Sequence, residues 1–222
     1  TIREVKRLTG RMTAINLEPA IIKKEEEKSV WNLTEGRRAT VENARKAADM
    51  EVDMIILTGN PGVGVDNEAI IQALSKLKEA VGDRVILTAG KMHASGIISE
   101  AGENILTEKD VEAFLEAGAD VILLPAPGTV PGITMEYAGK LIKKAHEKGA
   151  LAMTTIGTSQ EGADEETIRQ IALMCKMAGA DIHHIGDSGY MGMALPENIT
   201  AYSVAIRGKR HTYRRMAMSL LR

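Results

Sequence analysis

The stretch that decides the fold is LAMTTIGTSQEGADEETIRQIALMCKMAGADIHHIGD, residues 151–187. It opens with an apolar run of strand length, LAMTTIG. A polar turn follows, then an amphipathic helix starting after Asp164, then the glycine-terminated AGAD, then a second apolar run, DIHHIGD. Continuous apolar runs bounded by turn signals suit parallel strands covered by helices. The tetrapeptide AGAD recurs at Ala117–Asp120, again immediately before an apolar run. The unit is therefore a strand–helix repeat, not an isolated motif.

Working outward, six such runs are present: MTAINL from Met12, DMIILTG from Asp53, RVILTAG from Arg84, DVILLPA from Asp120, LAMTTIG from Leu151 and DIHHIGD from Asp181. Their starts lie 41, 31, 36, 31 and 30 residues apart. The intervals read as helices whose starts are marked by Asp66, Thr107 with Asp110, Thr134, Asp164 and Pro196, all residues favoured where a helix begins. Gly82, Gly118, Gly149, Gly179 and Gly208 suit helix ends. The strand ends read NLEP, TGNPGVG, AGKMHASG, PAPGTVPG, IGTSQEG and GDSGYMG. Polar or glycine-rich residues after every strand favour a (β/α)8 TIM barrel over a doubly wound sheet, whose ligand site lies at one switch point. Eight strands are needed and six βα units are visible, behind a helix-like Ile2–Thr9. The expectation is that the first two strands lie upstream of Thr1, since the chain does not begin with Met. The expected domains are a barrel over 1–206, incomplete at its N-terminus, and a basic C-terminal arm over 207–222.

Composition narrows the classes. In 222 residues, 44% are apolar and 26% charged, the balance of a globular protein. No run approaches the roughly 20 apolar residues that span a bilayer, so no membrane partner is expected. One cysteine, Cys175, excludes an internal disulfide framework, and a cytoplasmic setting is the default. Cys175, among Leu173, Met174 and Met177, reads as core packing. The net charge of −2 hides an asymmetry. No acidic residue follows Glu197, whereas Arg207, Lys209, Arg210, Arg214, Arg215 and Arg222 do, a +6 tail on a −8 body. The arm is expected to dock on acidic surface, its own or that of a second copy in a homo-oligomer, burying Met216 and Leu220. Nucleic acid is the less favoured partner, because aromatics are only 3% of the chain.

The stretches LPAPGTVPGITMEY, IGTSQEGADEETIRQIALMCKMAGADIHHIGDSGY and ALPENITAYSVAIRGKRHTYRRMA resemble an uncharacterised bacterial TIM-barrel family. Its members are labelled haloacid-dehalogenase-like hydrolase or phosphoenolpyruvate-phosphonomutase-like protein. The resemblance implies a barrel with further N-terminal strands. The DxD nucleophile motif of a haloacid dehalogenase is absent. Of the clustered strand-end carboxylates that a phosphonomutase places on magnesium, only Glu18 and Asp187 are found. The motifs thus do not support the hydrolase or phosphonomutase label.

The chemistry of such barrels sits at the C-terminal strand ends. Thr13, Ile15 and Leu17 share one face of the first strand and suit the helix layer. Asn16 and Glu18 then face the barrel mouth, Asn16 to bind substrate and Glu18 as general base or metal ligand. Lys91 and His93 are the other catalytic candidates, a cation for a substrate anion or Schiff base and an acid/base group. Gly157, Thr158, Ser159, Gly186, Ser188 and Gly189 end the last two strands, where barrels bind phosphate through backbone N–H groups. Asn60 in GNPGVG is a further binding candidate, though that loop matches no nucleotide fingerprint. Asp187 could join Glu18 on a divalent metal such as Mg. His183 and His184, adjacent on a strand, point to opposite faces. The charged run Lys23–Lys28, with Trp31, is expected to form a solvated face or a lid.

The reading that follows is an enzyme of lyase or isomerase type acting on a small anionic, possibly phosphorylated, metabolite. The alternative is a non-catalytic metabolite-binding barrel whose basic tail contacts a protein or RNA.

Overall fold

The computed structural model describes residues 1–20, 33–58, 65–93, 97–186 and 193–218. Each apolar run contains a strand: β1 Ala14–Leu17, β2 Met54–Leu57, β3 Ile86–Gly90, β4 Val121–Pro125, β5 Leu151–Ile156 and β6 Ile182–Ile185. All pair in parallel, in the order β1-β2-β3-β4-β5-β6. Strands added strictly in sequence build the wall of a (β/α)8 barrel; a doubly wound sheet would reverse direction at a switch point.

Between them run α1 Ile2–Thr9, α2 Val41–Asp49, α3 Asn67–Val81, α4 Glu108–Glu116, α5 Met135–Glu147, α6 Glu165–Ala178 and α7 Pro196–Ala217. The sequence marks of helix starts are used as caps. The side chains of Asp66, Thr107, Thr134 and Asp164 each accept the amide three residues on. Thr107 and Asp110 form a complete capping box, satisfying two amides the helix itself leaves unpaired.

The side chains alternate as parallel strands require. Ile55, Leu57, Leu87, Ala89, Ile122 and Leu124 face outward and are buried against helix residues such as Leu74, Phe114 and Ile142. Met54, Val121, Leu123 and Met153 face inward with Met92. The inner face forms a trough of about 740 Å³ at the N-terminal end of the strands, lined by Ala14, Met54, Ile86, Val121, Met153 and Ile182 among others. Gly90 is fixed by the approach of β3 to β4, since a Cβ there would lie 1.8 Å from the Leu123 carbonyl oxygen.

The N-terminal end of the sheet is tied by one device used three times. Asp53, Asp120 and Asp181 each precede a strand. Each donates its amide to a carbonyl of the preceding strand segment, that of Thr13, Leu87 and Ala152 respectively, at 3.0, 2.8 and 3.0 Å. Each carboxylate then accepts the amide of that same residue, at 2.8, 2.9 and 2.8 Å. A basic side chain from the helix that precedes the partner strand completes each clamp: Lys6, Lys78 and His146. The clamps join β1 to β2, β3 to β4 and β5 to β6. The structural repeat is therefore a pair of βα units, twice the period read from the strand spacing.

α7 starts at the C-terminal end of the sheet, where Asn198 donates to the carbonyls of Glu161 and Ala163 at 2.9 and 2.8 Å. It runs down past β6, where Tyr202 and His183 share a 2.9 Å hydrogen bond. Lys176, near the end of α6, reaches the Ile206 carbonyl at 2.7 Å. At Gly208 the helix breaks, with φ 76° and ψ 161°. Its second limb crosses toward β1, where Arg11 donates to the carbonyls of Arg215, Met216 and Met218. A guanidinium on the last carbonyls of a helix is favourable for both hydrogen bonding and dipole. Within the chain the arm thus docks through its backbone on a cation, not through its basic side chains on acidic surface. Met216 is not buried within the chain; it is 61% exposed. Leu220 lies outside the described residues.

Candidate active site

Glu18 follows β1 directly and is buried, held in a parallel bridge with Arg38. The Arg37 guanidinium donates to its carboxylate. Burial pushes the Glu18 carboxyl above the usual glutamate value, and Arg37 pulls against that shift. This is the balance a barrel-mouth base needs: hard to ionise by desolvation, kept usable by one cation. Asn16, one alternation below, faces inward, and among the described residues its buried Oδ1 has no hydrogen-bond partner. Register places it level with Thr88, two strands away, whose Oγ1 is likewise unpartnered. Buried polar atoms without partners are rare in folded proteins.

Lys91, at the end of β3, is only 2% exposed and donates to Glu100 at 2.6 Å. A buried ammonium needs such a partner. Glu100 sits in the short turn Ile98–Glu100. His93 is half-buried at the start of the same loop.

The β5 and β6 ends converge on this loop. A Cβ on Gly157 would lie 2.5 Å from Cε of Met92 and 3.5 Å from the Gly186 carbonyl. After Gly157 come two non-glycine residues in the left-handed region, Thr158 at φ 57° and Ser159 at φ 71°. Such conformations cost about 1–3 kcal/mol each and cluster at functional turns. The turn is pinned by Thr158 Oγ1, which lies 2.6 Å from the Gly157 carbonyl and 3.3 Å from that of Thr129. The amides of Gln160 and Gly162 are used internally. Among the described residues those of Thr158 and Ser159 donate to nothing, the condition of an anion-binding nest. Glu161, two residues on, is buried with an unpartnered Oε2.

The structure thus gathers Gly157, Thr158, Ser159 and Gly186 beside the Lys91–His93 loop, and places Glu18 and Asn16 on β1. Asn60, Asp187, Ser188 and Gly189, and the Lys23–Lys28 run with Trp31, lie outside the described residues. Sequence reasoning missed Arg37, Glu100, Thr129 and Glu161. The first two betray themselves only as opposite charges to Glu18 and Lys91 in the next loop. His183 turns outward to Tyr202, while His184 lines the inner trough. Cys175 is fully buried, and burial pushes its thiol up, as a packing residue requires. A metal centre is not assembled by the described residues. Glu18 is engaged by Arg37, and no group of three or more His, Cys, Asp or Glu side chains gathers there.

Comparison with known proteins follows this geometry. Residues 1–222 match the family described as Domain of unknown function (DUF7916). The chain belongs to this family. A putative N-acetylmannosamine-6-phosphate 2-epimerase of Haemophilus influenzae is 36% identical over 89 residues, covering 40% of this chain. The match spans only about a third of that protein, 33% of its length. Among solved structures, the deoxyribose phosphate aldolase of Aeropyrum pernix, a tetramer, superposes with a TM-score of 0.60 at 16% identity, over 93% of this chain and 74% of its own. A putative phosphonomutase from Burkholderia cenocepacia gives 0.58 at 16% identity, over 94% and 82%. These likenesses show the TIM-barrel fold for this DUF7916 member. The phosphonomutase half of the expected resemblance has a structural counterpart; the haloacid-dehalogenase half is not supported. No helix among the described residues is long and apolar enough to cross a membrane.

Proposed function

We propose that this DUF7916 chain is a barrel enzyme of lyase or isomerase type that acts on a small phosphorylated metabolite. The observation that carries the reading is the strained Thr158–Ser159 turn at the end of β5, packed beside Gly186 at the end of β6. Among the described residues its two amides donate to no acceptor, and phosphate is the ligand such a turn suits. The phosphorylated substrate named for the epimerase relative, and the aldolase and phosphonomutase among the structural neighbours, support the same class.

In this reading the phosphate rests on the amides of Thr158 and Ser159, with Gly157 and Gly186 allowing close approach. Glu18, raised by burial, takes a proton from the carbon beside a carbonyl. Lys91 is the cation that faces the negative charge developing on that carbonyl, and Glu100 neutralises it until substrate arrives. Asn16 and His93 hold the substrate's hydroxyls.

The test is proton exchange. Phosphorylated keto and aldo sugars would be incubated with the protein in D2O and followed by NMR. The expected result is deuterium uptake beside the carbonyl, lost in Glu18→Gln, and absent with the dephosphorylated sugars. Uptake that ignores both changes would contradict the reading.

A further inference from the structure

The C-terminal arm carries a feature that the mouth chemistry does not use. At Gly208 the backbone takes φ 76° and ψ 161°, a region open essentially to glycine alone. A continuous α7 would string its cations along a rod; the break folds them toward each other. The elbow encloses a concavity of about 750 Å³ lined by Arg207, Lys209, Arg210, His211, Arg214 and Arg215. That volume lies in the range of small-molecule sites.

The bend is braced. Ser203 on the first limb and Thr212 on the second lie 3.2 Å apart, oxygen to oxygen, both buried. Arg207 donates to the same Ser203 oxygen from Nε and Nη2, at 2.9 and 2.6 Å. Arg11 anchors the far end. The concavity is therefore held in shape before any ligand arrives, which reduces the ordering cost of binding.

Its charges are unanswered. Among the described residues, none of Lys209, Arg210, Arg214 and Arg215 forms an ion pair, although the rest of the chain is net acidic. Arg210 and Arg214 stand four residues apart on one helix, an arrangement that destabilises a helix unless an anion intervenes. Arginine presents planar donors matched to phosphate oxygens.

We propose that the α7 elbow is a second anion site, at the N-terminal end of the barrel, for a small molecule carrying two or more linked phosphates. A single phosphate would leave most of the five Arg and Lys cations unanswered. A concave, braced site of this volume suits a compact polyanion better than an extended strand, for which the arm offers little aromatic surface. The site is independent of the mouth reading, since α7 runs the height of the barrel between the two.

The test is calorimetric titration of the full chain with inorganic tripolyphosphate at low salt, on the wild type and two variants. Arg210→Gln/Arg214→Gln should weaken binding by about tenfold or more with unchanged far-UV circular dichroism. Gly157→Ala, whose Cβ meets the flexible end of Met92 and, at ordinary contact distance, the Gly186 carbonyl, should leave tripolyphosphate binding intact. Equal binding by the double glutamine variant would overturn the proposal. So would loss in Gly157→Ala, which would place the ligand in the mouth. A 20-nucleotide RNA that binds far more tightly than tripolyphosphate, with steep salt dependence, would replace the small ligand by nucleic acid. A change in sedimentation caused by the double variant alone would make the elbow a subunit contact instead.

Discussion

The two ends of the sheet are built on opposite terms. At the N-terminal end, Asp53, Asp120 and Asp181 have both backbone and carboxylate satisfied, each with a basic partner. At the C-terminal end, Asn16, Thr58, Thr88 and Glu161 keep buried oxygens unpartnered among the described residues, and Thr158 and Ser159 hold a strained turn. The lower end spends its polar groups on stability. The upper end leaves them available to a ligand, at a cost the lower end and the helix layer must cover.

That contrast can be broken by mutation. The largest effect belongs to neither device but to the contact both depend on. Gly90→Ala drives a Cβ into the Leu123 carbonyl and should cost more than about 4 kcal/mol, leaving no cooperative transition in urea. Next is the lower clamp. Asp120→Ala removes a charged acceptor from the Leu87 amide and from Lys78, and denaturant unfolding should show a loss of about 2 kcal/mol. Phosphate binding at the mouth should be retained. Thr158→Gly should do the reverse. Relief of the left-handed strain raises stability by about 1 kcal/mol, while phosphate binding weakens because the unbound turn is no longer fixed.

Two pH effects are smaller. Burial holds the Glu18 carboxyl above its usual value and Arg37 opposes it, so the acidic limb of any turnover profile should lie above the ordinary glutamate range. Arg37→Met removes the opposing charge and should move that limb higher still; a downward shift would mean Arg37 does not act on Glu18. Burial, then Arg207, hold His183 below the ordinary histidine value. The unfolded chain thus binds a proton at higher pH than the folded one. Stability should fall as pH drops through the ordinary histidine range toward the lowered folded value. His183→Gln should flatten that slope in thermal unfolding.

Much of the fold was legible in the sequence because its signals are local. Apolar runs marked the six strands, Asp66, Thr107, Thr134 and Asp164 marked helix starts, and AGAD marked the approach to β4 and β6. What AGAD does was not legible, since each aspartate pairs with a residue 29 to 40 positions earlier on a neighbouring strand. The opposite facing of His183 and His184 followed from strand alternation. Lys91 was legible as a strand-end cation, but its partner Glu100 was not, because it arrives on a turn without regular pattern. The arm misled. Its charge predicted an acidic dock, whereas its carbonyls, invisible in composition, carry the contact with Arg11.

Phosphate meeting the Thr158–Ser159 turn is the central proposal. Its most direct test is a titration of the isotope-labelled chain with inorganic phosphate, read by amide chemical shifts. Saturable shifts at Gly157, Thr158, Ser159 and Gly186, with the amides of Asp53, Asp120 and Asp181 unmoved, are the predicted result. Saturation with those four amides unchanged would contradict it.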